Sequence, residues 1–116
     1  MKHSFVGIHS ISDFYDIERK LFGQEFLRFV QDACDEHNFT VLDSSVYIFD
    51  NGGFTLFVLL AESHISFHYY IENDAAFVDI FTCGINTPVQ LLNDLRKYCN
   101  PKRENLSTIN RGDLHV

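Results

Sequence analysis

From residue 62 to residue 72 polar and apolar side chains alternate with a period of two. Glu62, His64, Ser66, His68, Tyr70 and Glu72 fall on one side, and Ser63, Ile65, Phe67, Tyr69 and Ile71 on the other. This predicts a strand with one face in a core. The preceding "FTLFVLLAE" (54–62) is apolar almost throughout, which predicts a central or doubly covered strand. "NGG" at 51–53 is the strongest turn signal and joins that strand to "FTVLDSSVYIFD" (39–50) as a hairpin. A second turn at "ND" (73–74) leads into "AAFVDIFTCG" (75–84), and "HSFVGIHSI" (3–11) reads as a first strand. The period lengthens over residues 12–38. There Ile17, Leu21, Phe22, Phe26, Phe29, Val30 and Ala33 recur at helical spacing, with Ser12 or Asp13 as cap, Gly23 as a weak point and Asn38 as the stop. A second helix is predicted over 87–99, with Thr87 as cap, Pro88 in the first turn and Leu91, Leu92 and Leu95 on one face. The polar tail beyond it has room for one edge strand.

Hairpins between two helices predict an α+β fold: a two-layer sandwich, mainly antiparallel, with helices on one face. The 116 residues suit a single domain, 1–116, with a core that needs no staples. Twelve Phe in so short a chain suggest that a partner subunit covers part of the apolar surface. The net charge of −7, with scattered Lys and Arg, argues against nucleic acid as a partner. Three cysteines, Cys34, Cys83 and Cys99, form no CxxC pair, which argues against a disulfide framework or structural zinc. No signal-peptide core or membrane-length apolar run is visible, so a soluble, cytoplasmic chain is expected.

A polar face turned to solvent over an apolar face turned inward explains "AESHISFHYY" (61–70) well, and a reactive site is the alternative. His64 and His68 raise the question of a metal pair, but a strand rising ~3.3 Å per residue holds them more than about 10 Å apart. No metal site is expected. Ser63 interrupts an apolar pattern at a turn between two strands. A serine in a strained turn, with acid–base groups nearby, is placed to attack its own preceding carbonyl.

"ESHISFHYYIE" (62–72) followed by "AAFVDIFTCG" (75–84) resembles the prokaryotic-type S-adenosylmethionine decarboxylase proenzymes. Their pattern reads approximately ESHISIHTYPE and then AAVDIFTCG. Glu62, Ser63, His64, Ile65, Ser66, His68, Tyr70 and Glu72 match it, as does the run from Val78 to Gly84. The resemblance implies a self-processing enzyme cut at Glu62–Ser63 into a β chain, 1–62, and an α chain, 63–116. Its cofactor is then a pyruvoyl group derived from Ser63, which forms a Schiff base with the substrate amine and acts as an electron sink. His68 is implied as the processing base, Cys83 as the proton donor to the product carbon, and Thr55 as a hydroxyl supporting processing. For the substrate, S-adenosylmethionine, Tyr70 and Glu72 are expected to handle adenine and ribose, with Phe49 and Ile65 as apolar walls. The resemblance also implies a homodimer with its active sites near the interface, pairing two sandwiches into a larger layered α/β assembly.

Two departures bear on the substrate. The family's threonine and proline appear here as Tyr69 and Ile71, while its usual upstream serine is Thr55, which keeps the hydroxyl. Two alternatives therefore stand beside the decarboxylation of S-adenosylmethionine for spermidine synthesis. One is an ornithine or arginine decarboxylase on the same scaffold; the other is an unprocessed nucleoside-binding or regulatory homologue.

Overall fold

The alternation in the middle of the chain is realised as one antiparallel sheet. In the computed structural model, which describes residues 5–83 and 86–114, the elements run β1 (Phe5–Ile17), α1 (Gly23–Glu36), β2 (Val41–Ile48), β3 (Phe54–Leu60), β4 (Ser63–Tyr70), β5 (Ala75–Cys83), α2 (Val89–Cys99) and β6 (Pro101–Asp113). A short 3-10 turn, Ile71–Asn73, follows β4. The beginning of the expected first strand, Gly84 of the matched motif and the last two residues lie outside the described residues.

The sheet order is β2-β3-β4-β5-β1-β6, and each neighbouring pair is antiparallel. Both helices lie on one face, so the expected two-layer α+β sandwich is the observed architecture. On that face Phe54, Leu56, Val58 and Leu60 of β3 meet Ile65, Phe67 and Tyr69 of β4 and Ala76, Val78 and Ile80 of β5, all buried. Phe26 of α1 is the centre of this layer, with ring centroids 4.3 Å from Phe67, 5.8 Å from Phe54 and 5.3 Å from Tyr98. Leu91, Leu92, Leu95 and Cys99 close it from α2.

The helical reading of residues 12–22 is corrected. Ser12 to Ile17 continue β1, and α1 begins only at Gly23. Here alternation outweighs helical spacing, because Ser10, Ser12 and Phe14 turn inward and β1 pairs with a strand on either side, β5 and β6. Ile17 and Leu21 do reach the core, but from a strand end and a connection. Neither Ser12 nor Asp13 caps α1: the capping position is Phe22, with no side-chain bond. Gly23 sits at the start of α1 and not within it, where a Cβ would lie 2.9 Å from Ile48 Cγ1 and displace that side chain. At α2 the cap is Pro88, not Thr87, again without a side-chain bond. The tail forms the edge strand it has room for, 13 residues long.

Asn38 ends α1 in the left-handed region (φ 64°), as its short polar side chain allows. Gly52 (φ 98°) turns the β2–β3 hairpin, where Phe49 N donates to Gly53 O at 2.8 Å.

Candidate active site

The hairpin joining β3 to β4 has a loop of only Ala61 and Glu62, because Leu60 and Ser63 pair across it. Glu62 sits at φ 60°, the left-handed region that residues with a Cβ enter at a cost of about 1–2 kcal/mol. Ser63 follows immediately as the first residue of β4, buried and on the helix-facing side with Ile65 and Phe67. The peptide bond expected to be cut is therefore the one leaving a strained turn residue.

Cys83, the last residue of β5, lies across from this turn. Its thiol donates to the Glu62 carbonyl oxygen at 3.1 Å and approaches Glu62 Oε2 at 3.8 Å. A donor on that oxygen withdraws electrons from the carbonyl carbon a nucleophile would attack. The other two thiols differ in kind. Burial pushes Cys34 up to about 11 and Cys99 up to about 12, so both remain protonated core groups.

His68 and Thr55 form a second group. They are directly opposed across β3 and β4, with Thr55 Oγ1 3.0 Å from His68 Nδ1. In the tautomer that donates from Nδ1 to the threonine, Nε2 is the basic nitrogen. Beside them Phe49, Tyr70 and Glu72 line a cleft of about 430 Å³, together with Asp50, Asn51, Gly53 and Tyr69. Asn51, which the sequence marks only as a turn residue, holds Glu72 by donating to Oε1 at 2.6 Å. Three of the four expected substrate contacts thus share one cleft. Ile65 is corrected: it is wholly buried among core residues on the helix face and cannot wall a pocket with Phe49.

Within one chain the two groups stand apart. Ser63 and His68 are five residues apart on one strand, roughly 16 Å at the ~3.3 Å strand rise, and their side chains leave opposite faces of the sheet. Glu62 and Cys83 occupy one end of the open face, with Thr55, His68 and the cleft at the other. Between them lie Phe57, Leu59, His64 and Phe81, with Phe57 and Leu59 more than two-fifths exposed. Ser66 Oγ donates to Asp79 Oδ2 at 3.2 Å in the same stretch. His9 Nε2 lies 3.3 Å from Asp79 Oδ1 without forming a hydrogen bond to it. On the helix face the buried hydroxyl of Thr82 has no partner among the described residues. No described helix is long and apolar enough to cross a membrane.

A family profile described as S-adenosylmethionine decarboxylase matches residues 8–112. The S-adenosylmethionine decarboxylase proenzyme of Thermoplasma volcanium is 36% identical over 112 residues, covering 94% of this chain and 86% of that protein. The proenzyme of the same name from Prochlorococcus marinus is 38% identical over 109 residues, covering 91% and 87%. The crystal structure of the adenosylmethionine decarboxylase from Aquifex aeolicus superposes with a TM-score of 0.86 at 29% identity, covering 95% of this chain and 93% of that one.

Proposed function

The chain belongs to the S-adenosylmethionine decarboxylase family, and on that footing we propose that it is a proenzyme that cuts itself between Glu62 and Ser63 and then decarboxylates S-adenosylmethionine. The product is the aminopropyl donor of polyamine biosynthesis. The observation that carries the reading is the Cys83 thiol on the Glu62 carbonyl, with Glu62 held left-handed immediately before a serine.

Processing begins when Ser63 Oγ bonds to the Glu62 carbonyl carbon and the peptide C–N bond breaks. The hydroxyl proton passes to the Ser63 nitrogen, leaving an ester. A base then removes the Ser63 Cα proton, the Cβ–Oγ bond breaks, and Glu62 departs as the carboxylate of fragment 1–62. Water replaces the nitrogen of the remaining dehydroalanine, ammonia leaves, and fragment 63–116 begins with a pyruvoyl group. That group supplies a ketone that draws electrons away as CO₂ departs. The residues present fit its formation: a strained turn, a nucleophile and a proton donor converge on one bond. Cys83 then holds the proton that the product carbon needs.

The base is His68 of a second copy, since His68 of the same chain is too distant. A two-fold axis through the middle of the open face lays the Thr55–His68 end of one chain over the Glu62–Cys83 end of the other. It also brings the partner's Phe49, Tyr70 and Glu72, so each site takes its cleft from one chain and its junction from the other. An aromatic wall suits a sulfonium cation, and Glu72 suits ribose hydroxyls. The net charge of −7 adds a weak pull on a cationic substrate.

The intact mass of freshly purified protein tests this reading. Two fragments meeting at Glu62/Ser63 are expected, and a Ser63→Ala chain should remain whole. Release of CO₂ from S-adenosylmethionine, and not from ornithine or arginine, fixes the substrate. A wild-type chain that folds and stays uncut overturns the proposal.

A further inference from the structure

Thr82 is completely buried, and its Oγ1 makes no hydrogen bond among the described residues. Its companions on that face of β5, Ala76, Val78 and Ile80, are apolar, so packing alone would be served by valine. Leaving a buried hydroxyl unpaired costs about 1–3 kcal/mol, which calls for another state in which it is paired. The β4–β5 ladder supplies the partner. It runs in register from Tyr70↔Ala75 to His64↔Phe81, and one further step sets Ser63 beside Thr82. The strands are still adjacent at the step after that, where Cys83 touches Glu62. Ser63 and Thr82 both face the helices, and directly opposed residues of an antiparallel pair have Cβ atoms about 4.5–5.5 Å apart. A rotation about χ1 brings the two hydroxyls within hydrogen-bond reach.

We propose that Thr82 is a positioning residue for self-cleavage: its Oγ1 accepts a hydrogen bond from the Ser63 hydroxyl and so aims Ser63 Oγ at the Glu62 carbonyl carbon. The proposal rests on the cleavage reading above. Consecutive strand residues point to opposite faces, so Thr82 and Cys83 bracket the junction from the two sides of the sheet. Cys83 holds the carbonyl oxygen and Thr82 holds the nucleophile. Thr82 neither gains nor loses a proton over the step; the serine proton still ends on the departing nitrogen. Its hydroxyl is satisfied during attack and idle before it.

The test uses the full chain refolded from denaturant, with fragment formation followed by intact mass. Thr82→Val should slow cleavage about tenfold or more, as loss of an orienting contact does. Thr82→Ser, which keeps the hydroxyl, should cut at close to the wild-type rate. The melting temperature separates positioning from packing. In a Ser63→Ala background, which cannot cut, Thr82→Val should melt at or above the Thr82 chain, because a methyl replaces an unpaired hydroxyl. Wild-type cleavage rates in Thr82→Val overturn the proposal. So does slow cleavage that comes with a lowered melting temperature and is not restored by serine. If the wild-type chain itself stays whole, the cleavage reading falls first, a result visible before any Thr82 variant is made.

Discussion

Glu62 carries a Cβ at φ 60°, a place where glycine would sit without strain. Glu62→Gly in a Ser63→Ala background should therefore raise stability by about 1 kcal/mol in urea denaturation, the order of the left-handed penalty. An unchanged midpoint would mean that the turn stores no strain. Chemical reactivity offers a second check at this scale, because burial holds Cys34 and Cys99 protonated far above neutrality while Cys83 is only partly buried. An alkylating reagent at mildly alkaline pH should label Cys83 alone in the folded chain and all three cysteines after unfolding; early loss of Cys34 or Cys99 would contradict the packing. The residues of the proposed cutting end are legible in the sequence because a serine and a cysteine interrupt otherwise apolar strands inside a specific motif. Ile65 was misplaced because the same period-two pattern that exposes His64 and His68 sends Ile65 inward with Ser63. Thr82 left a trace too, a hydroxyl where Val78 and Ile80 predict another apolar side chain, but only the structure shows that it is buried without a partner among the described residues.

At the scale of elements, the sequence misled at one junction. Residues 12–22 carry apolar side chains at a spacing a helix would use, yet β5 and β6 recruit them into β1 through backbone pairing that no local pattern reports. The true start of α1 is left without a side-chain cap at Phe22, whose φ of −119° and ψ of 126° suit a capping residue. Phe22→Asp should then stabilise the protein by about 1 kcal/mol, the usual worth of an N-cap, as read by thermal melting. The far end of the sheet is fastened by charge. Arg96 of α2 donates to Glu104 of β6 at 2.5 and 2.8 Å, and Ser12 of β1 donates to the same carboxylate. The Arg96 bonds hold the Glu104 carboxyl below the usual carboxylate range, against the opposing pull of partial burial. A carboxyl lowered on folding contributes stability that is present above its unfolded pKa and disappears as pH falls through the folded one. Glu104→Gln should thus be less stable than wild type at neutral pH, with the gap closing in acid. A gap independent of pH would show that charge is not what fastens β6.

The whole molecule poses the problem that neither residues nor elements solve. One face of the sheet is covered by helices, and the other leaves Phe57, Leu59, Tyr47 and Tyr70 exposed around polar chemistry. The excess of Phe in the sequence points to an uncovered face, but not to that face separating the proposed scissile junction from its proposed base. That follows from strand length, since five strand residues carry His68 out of reach of Ser63. Co-expression of two crippled chains tests the consequence. A His68→Ala chain has an intact junction and no base; a Cys83→Ala chain has a base and an impaired junction. If the base crosses the interface, each mixed dimer contains one complete site, at the junction of the His68→Ala chain. Random pairing should then recover roughly a quarter of wild-type decarboxylation, since half the dimers are mixed and each holds one good site of two. Each variant alone should be nearly inactive. If base and junction belonged to one chain, no mixed dimer would hold a complete set, and co-expression would recover nothing.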